Sequence, residues 1–203
     1  KEDISFILPF ADIDAAISAV PKIKLAGLSP QSIEFMERDI VDSSANYTGN
    51  KIIPTVIDGK EAGAYILVTL DGNDQDEIFQ RAETLAEIGD EIGAYDTLVL
   101  SHPADKRAVW EARSAFLTVI EAETDLIDEM DVVVPVDKIP TFLEYAHEIG
   151  DKYEVRIRSF GHAGDGNLHI YCCANDMDEA VFLERSAKVM KAAYEKCTEL
   201  RGQ

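Results

Sequence analysis

The chain has 203 residues, of which 46% are hydrophobic, enough for a sizeable core in one domain or two closely fused halves. Its formal net charge of −20, from 39 acidic and 19 basic residues, argues against binding to nucleic acid or anionic membrane surfaces. The three cysteines lack metal-binding spacing and no apolar run reaches membrane-spanning length, so we expect reduced thiols, a cytoplasmic location and no transmembrane segment.

The first hundred residues predict alternating strands and helices. Helices are expected after Asp12, which can cap one, and after Asp74, where Glu77 completes a capping pattern. Residues 43–63 are polar and rich in turn formers, and we interpret them as a loop or irregular insertion. Strands are predicted at residues 3–10, 32–38, 64–71 and 95–100. The order β-α-β-β-α-β is that of a ferredoxin-like module.

The second half of the chain repeats this pattern loosely. Residues 101–203 predict a helix, a strand, a helix, a hairpin and a long final helix, which gives β-α-β-β-α after the first helix. We therefore expect the last strand of a truncated second module to lie beyond Gln203. The predicted fold class is α+β, with ferredoxin-like βαββαβ modules at residues 1–100 and 101–203. Together they should form one extended antiparallel sheet with helices on one face.

The segment from Arg156 to Ala174 predicts a hairpin that carries two histidines. If Asp165 and Gly166 are the central turn residues, His162 lies directly opposite His169, with Cβ atoms ~5 Å apart. The histidine face does not look like core. By alternation along the strands it also carries Arg156, Arg158 and Tyr171, beside His162 and His169. Two imidazoles on one face can begin a metal site, but the spacing is also compatible with two solvated histidines.

A basic cluster stands out in this acidic chain beside the hairpin. It consists of Lys152, Arg156 and Arg158. Such a positive patch could hold a carboxylate substrate. The alternative is that these arginines pair with nearby acidic side chains at the surface, where ion pairs contribute little.

The string from Gly161 to His169, GHAGDGNLH, carries a family resemblance. It matches throughout the pattern G-H-x-G-D-G-N-x-H of the FAD-linked 2-hydroxyacid dehydrogenase family, which includes D-lactate dehydrogenases, D-2-hydroxyglutarate dehydrogenase and the glycolate oxidase D subunit. Further segments resemble the same family, namely Trp110 to Arg113, Asp131 to Pro135 with Ile139-Pro140, and Ile33 to Met36. Residues 1–203 thus resemble the C-terminal substrate, or cap, domain of that family.

Two parts of the family protein have no counterpart in these 203 residues. One is the FAD-binding domain, which precedes the cap domain in the family. The other is a Glu-His-Gly motif with a further metal ligand and the catalytic histidine, which we expect beyond Gln203. No catalytic residue is therefore expected within the chain, which should be colourless and inactive by itself.

The resemblance implies a function for the whole protein. It would be an FAD-dependent enzyme that oxidises a small D-2-hydroxy acid, D-lactate or glycolate, to the 2-oxo acid. His162 and His169 would bind a divalent metal, Zn²⁺, Fe²⁺ or Mn²⁺. Arg113, in the W-x-x-R position, would bind the substrate carboxylate, or else pair with Glu111 or another acid. Asn167 is first a turn residue, with substrate binding as its second role.

The expected cofactors are FAD, bound outside this chain, and the divalent metal. The expected partners are the 2-hydroxy acid and electron-transfer subunits. A substrate with a large second acidic group is less favoured, because Glu129 and Asp131 place negative charge near the site. The alternative function is a free-standing ferredoxin-like module that binds a metal or small anion. That module requires a third ligand, such as Asp165 or Cys173, beside the histidine pair.

Overall fold

The computed structural model describes residues 2–203, and its elements largely follow the predicted order. The strands are β1 (Glu2–Phe10), β2 (Ser32–Glu37), β3 (Val56–Ile57), β4 (Lys60–Glu61), β5 (Ala64–Gly72), β6 (Leu98–Leu100), β7 (Leu126–Val133), β8 (Arg156–His162) and β9 (Asn167–Ala174). The helices are α1 (Ile13–Leu25), α2 (Arg38–Thr48), α3 (Gln75–Ile92), α4 (Pro103–Ser114), α5 (Phe116–Glu123), α6 (Ile139–Lys152) and α7 (Glu179–Glu199), with a 3₁₀ turn at Val136–Lys138. The predicted caps Asp12 and Asp74 each accept a backbone hydrogen bond at 2.9 Å.

One antiparallel sheet runs through the part of the chain that the structure describes, in the order β6-β1-β5-β2-β8-β9-β7. The first four strands have the order of a ferredoxin-like module, and β8-β9-β7 repeats that order without a fourth strand. Pairing between β2 and β8, with Phe35 opposite Gly161, joins the two sets. The α+β class and the extended antiparallel sheet are therefore confirmed.

Helices lie on both faces of this sheet, so the expectation of helices on one face only was wrong. One face packs against α1, α3, α6 and α7. The second face packs against α2, α4 and α5, through residues such as Ile40, Val109 and Phe116. The physical reason is that β1 and β5 are apolar on both sides, and such strands require cover on both faces.

Residues 43–63 are more ordered than predicted. Helix α2 includes the first of them, and β3 pairs with β4 in a short hairpin. Asp, Ser, Asn and Thr are poor helix formers, which hid the helix in the sequence. Packing overrides this tendency, since Ile40 and Val41 are buried on the second face, and Gly49 ends the helix in the left-handed region at φ 71°.

No helix within residues 2–203 combines the length and the apolar character needed to cross a membrane.

Candidate functional site

The histidine hairpin forms between β8 and β9, but its register differs from the prediction. His162 lies opposite Asn167, and Phe160 lies opposite His169, so the two histidines are not directly opposite each other. The shift is two residues, which keeps both side chains on one face of the sheet. Their ring centroids are 5.6 Å apart, with 81° between the ring planes. The predicted pairing of two imidazoles on one face is thus present.

The hairpin loop consists of residues 163–166 rather than the two central residues of an Asp-Gly turn. The backbone N–H groups of Asp165 and Gly166 donate to the His162 carbonyl, at 3.4 and 3.1 Å. Asp165 acts in the turn as predicted, because its side chain accepts from the Asn167 N–H at 3.1 Å.

Contacts outside the hairpin explain this wider loop. The Gly164 N–H donates to the Ile33 carbonyl of β2 at 3.3 Å, and its carbonyl accepts from Lys24 Nζ at 2.5 Å. Gly166 has a φ of 82°, and a Cβ atom there would lie 2.0 Å from the Val134 carbonyl oxygen. Tertiary neighbours, which the local turn rules do not include, therefore set the loop.

His162 is held by Glu34, a residue for which the sequence suggested no role. The imidazole Nδ1 lies 2.8 Å from Glu34 Oε1. Pairing between β2 and β8 places these two residues opposite each other. The Glu34 side chain is only 5% exposed, whereas that of His162 is 48% exposed. The one available signal was an acid among apolar residues in a predicted strand, which indicates a buried partner.

Arg113 binds the other oxygen of the same carboxylate. Its Nε and Nη2 donate to Glu34 Oε2 at 3.2 and 2.8 Å, and its guanidinium carbon lies 4.5 Å from the centre of the Phe160 ring. Pairing with an acid was the alternative for Arg113, but the partner is Glu34 rather than Glu111. Burial lowers the pKa of the guanidinium from its ordinary value, while Glu34 acts in the opposite direction.

His169 is held by a second, more exposed carboxylate. Its Nδ1 lies 2.9 Å from Asp131 Oδ1 and 3.9 Å from Glu129 Oε1. Tyr171 donates to Glu129 at 3.0 Å. Tyr171, which the sequence placed on the face that does not look like core, is buried because the second helix layer covers it. Burial, together with the hydrogen bond to Glu129, raises the pKa of the Tyr171 phenol above its ordinary value.

Two separate pockets lie beside these residues. The first, of about 250 Å³, is lined by Arg113, Ser114, Leu117, Glu129, Phe160, His169 and Tyr171. The second, of about 420 Å³, includes among its lining residues Lys24, Gln31, Ser32, Glu34, His162 and Asp165. Glu34 belongs to the second pocket and binds an arginine of the first, so it connects the two.

Asn167 begins β9 opposite His162 and lies opposite Val133 on its other side. Its side-chain oxygen is buried and has no hydrogen-bond partner among residues 2–203. A buried amide oxygen without a partner is costly, so this atom is suited to accept from a ligand or to bind a cation.

Both arginines of the basic cluster pair with acids, as the alternative interpretation expected, but only Arg156 does so at the surface, because Arg158 is buried. Arg156 binds Asp39 at 2.6 Å. Arg158 is 1% exposed and donates to Asp39 at 3.0 Å, to Glu123 at 2.6 Å and to Ser43 at 2.6 Å. These contacts join β8 to α2 and α5, which indicates a structural role for the two arginines rather than a free carboxylate site.

The histidine pair satisfies part of what a metal site requires. Within residues 2–203 no group of three or more His, Cys, Asp or Glu side chains is arranged to hold a metal ion. However, both histidines place Nδ1 against a carboxylate. Metal-binding histidines commonly donate their second ring N–H in this way, which leaves the other nitrogen free to bind. The donor set therefore fits two ligands of a larger site.

Over residues 1–203 the chain matches the family described as FAD linked oxidases, C-terminal domain. It belongs to this family. The chain is 43% identical over 202 residues to a D-lactate dehydrogenase of Anaerostipes hadrus. That match covers 100% of this chain and 42% of the dehydrogenase. It is 29% identical over 196 residues to the glycolate oxidase subunit GlcD of Bacillus subtilis. That match covers 95% of this chain and 39% of the Bacillus protein. The chain thus spans about two fifths of these relatives.

A solved structure of p-cresol methylhydroxylase with substrate bound has the same fold, with a TM-score of 0.68 at 12% identity. The match covers 98% of this chain and 44% of that one. At this identity the likeness shows the fold alone. The resemblance drawn from the GHAGDGNLH string is confirmed by the family match.

Proposed function

We propose that this chain is the substrate-binding domain of an FAD-dependent dehydrogenase or oxidase, which converts a small D-2-hydroxy acid to the 2-oxo acid. D-lactate and glycolate are the proposed substrates, and the names of the two relatives support this choice. The observation that carries the proposal is the 250 Å³ pocket, where the Arg113 guanidinium and the His169 imidazole lie beside the apolar side chains of Leu117 and Phe160.

Arg113 would bind the substrate carboxylate. Its hydrogen bonds to Glu34 use Nε and Nη2, so Nη1 is available to a ligand. Leu117 and Phe160 suit a methyl group or a hydrogen at the next carbon. Glu129 lines the same pocket and disfavours a second carboxylate by charge repulsion. A small monocarboxylate therefore matches this pocket better than a dicarboxylate.

His162 and His169 would hold the divalent metal, with Zn²⁺, Fe²⁺ and Mn²⁺ as the candidates. When bound, the metal supplies a Lewis acid, and FAD, held by the rest of the protein, supplies the two-electron acceptor. Asn167 is proposed to contact the substrate or the metal, which its buried, unpartnered oxygen supports.

We further propose that residues 1–100 and 101–203 form two related ferredoxin-like modules of one substrate-binding domain. Val133 of β7 and Gln203 exchange two backbone hydrogen bonds, at 2.7 and 2.8 Å. This contact lies on the outer edge of β7, where the fourth strand of a second ferredoxin-like module belongs. It supports the proposal that a further strand completes the module at this edge.

We also propose that electrons leave the flavin through partner subunits, since one relative is named as a subunit. A reducing, cytoplasmic location is supported by the free thiols of Cys172, Cys173 and Cys197, all of which are buried.

The carboxylate-binding role is tested in the whole protein, loaded with FAD, by Arg113→Lys. Lysine keeps the charge beside Glu34 but loses the guanidinium fork. We expect kcat/KM for D-lactate or glycolate to fall by about 10-fold to 100-fold, which corresponds to one lost charge-assisted hydrogen bond. The matched control Arg156→Lys, outside both pockets, should leave kcat/KM unchanged. Equal values for the two variants would contradict the role.

The free-standing metal or anion module is the second candidate. It requires a complete site, but no three-ligand group exists within residues 2–203. Asp165 is engaged with the Asn167 N–H, and Cys173 is buried in the second core. Purification of the 203-residue chain separates the candidates. The domain proposal expects a colourless chain with weak metal binding, whereas a flavin band contradicts it and tight stoichiometric metal favours the module.

A further inference from the structure

Glu34 occupies an unusual place between the two pockets. Its carboxylate is almost completely buried, and both of its oxygens are in use. Oε1 lies 2.8 Å from His162 Nδ1, and Oε2 accepts from Arg113 Nη2 at 2.8 Å and from Nε at 3.2 Å. One side chain therefore contacts both the proposed metal ligand and the proposed substrate-binding cation.

The chemistry of this contact selects one form of the His162 ring. An ionised carboxylate has acceptors only, and a guanidinium has donors only. Nδ1 of a neutral His162 must therefore carry the hydrogen if it is to bond with Glu34. The lone pair then remains on Nε2, the nitrogen that can bind a cation.

We propose that Glu34 is a positioning residue that fixes His162 in the Nδ1–H tautomer and, with its other oxygen, fixes the Arg113 guanidinium. The inference rests on the proposed function for the roles of His162 and Arg113, but the tautomer itself does not depend on that function. Because a single buried carboxylate sets both groups, the metal-binding nitrogen and the substrate cation are held in one fixed relation to each other.

The isosteric substitution Glu34→Gln should reverse the tautomer of His162. The amide has one oxygen and one NH₂ group, and Arg113 can only donate, so the oxygen must face Arg113. The NH₂ group then faces His162, whose Nδ1 must become the acceptor. The ring is forced into the Nε2–H tautomer, in which its metal-binding lone pair is lost.

The test is long-range ¹H–¹⁵N spectroscopy of the ¹⁵N-histidine-labelled chain at about pH 8.5, where ordinary imidazoles are neutral. We expect the hydrogen of His162 on Nδ1 in the unsubstituted protein and on Nε2 after Glu34→Gln. The matched control Asp131→Asn, which alters the carboxylate beside His169, should leave the His162 tautomer unchanged. An Nε2–H ring in the unsubstituted protein overturns the proposal even if Glu34→Gln does not fold, and so does a folded Glu34→Gln protein with an unchanged tautomer.

A Zn²⁺ titration distinguishes failure of this inference from failure of the proposed function. We expect Glu34→Gln to weaken Zn²⁺ binding by about 10-fold to 100-fold. If the unsubstituted protein shows the Nδ1–H ring but does not bind Zn²⁺, the metal role fails and the positioning role stands. If Glu34→Gln binds Zn²⁺ as tightly as the unsubstituted protein does, the positioning role is wrong.

Discussion

His162 and His169 each place Nδ1 against a carboxylate at nearly the same distance, 2.8 Å to Glu34 and 2.9 Å to Asp131. The surroundings of the two pairs differ greatly. The Glu34 side chain is 5% exposed and also binds Arg113, whereas the Asp131 side chain is 61% exposed. A contact distance alone therefore does not tell how much a pair contributes to stability.

The difference follows from what happens when one partner is removed. Solvent screens an exposed pair, and its loss costs little. Removal of a buried carboxylate leaves a charge without a partner in a medium that solvates it poorly. A third pair, His147 with Glu37 at 3.3 Å, has intermediate exposure and extends the comparison. Substitutions in the three pairs should therefore have graded effects.

The largest effect is expected for Glu34→Ala. It leaves the buried Arg113 guanidinium without its carboxylate, and the free energy of unfolding should fall by about 3–5 kcal/mol. Urea unfolding followed by circular dichroism measures this value. A loss below about 1 kcal/mol would place Glu34 in the same class as an exposed carboxylate and remove the contrast with Asp131.

Replacement of both charged partners should recover most of that loss. In Glu34→Leu with Arg113→Leu both charges of this buried pair are removed, and apolar replacement of a buried ion pair is often neutral or stabilising. The double variant should therefore be more stable than Glu34→Ala by about 2 kcal/mol or more. Urea unfolding of both variants provides the comparison, and a double variant less stable than Glu34→Ala would contradict it.

A smaller, pH-dependent effect is expected for His147→Gln. The hydrogen bond to Glu37, aided by the charges of Asp151 and Asp39, raises the pKa of His147. This stabilisation is fully present below the ordinary histidine pKa of about 6.5 and is lost as pH rises through the raised value. Because the ring is 38% exposed, solvent screening limits the effect to at most about 1 kcal/mol. Unfolding curves at pH 5 and pH 9 should show the variant less stable only at the lower pH.

The smallest effect is expected for Asp131→Ala. Its carboxylate is exposed, so the free energy of unfolding should change by about 0–1 kcal/mol. Thermal unfolding in parallel with Glu34→Ala measures the difference between the two pairs. A loss from Asp131→Ala as large as that from Glu34→Ala would show that burial does not govern these contacts.

Much of the fold was predictable because it depends on local patterns. Hydrophobic alternation and capping residues located most elements, and their order indicated the ferredoxin-like modules. The common face of His162 and His169 was predictable for the same reason, since a shift of two residues preserves it. The loop register was not, because it depends on Gly164 contacts to Ile33 and Lys24, residues distant in the sequence.

The role of Glu34 and the second helix layer escaped prediction for a related reason. Both depend on β2 pairing with β8 and on α2, α4 and α5 covering the second face. Such contacts join residues far apart in the chain, and the local spacing of hydrophobic residues does not predict them. Asn167 shows the same limit, since its type indicates a turn while its buried oxygen is visible only in three dimensions.

We propose that the two imidazoles, each with a carboxylate at Nδ1, bind one cation through Nε2. A Zn²⁺ titration of the ¹⁵N-histidine-labelled chain, followed by long-range ¹H–¹⁵N spectra, tests this binding mode. We predict that the Nε2 resonances of His162 and His169 shift together at the same Zn²⁺ concentration, while those of His102 and His147 do not. Shifts at only one of the two rings, or at Nδ1 instead of Nε2, would exclude a cation shared through Nε2.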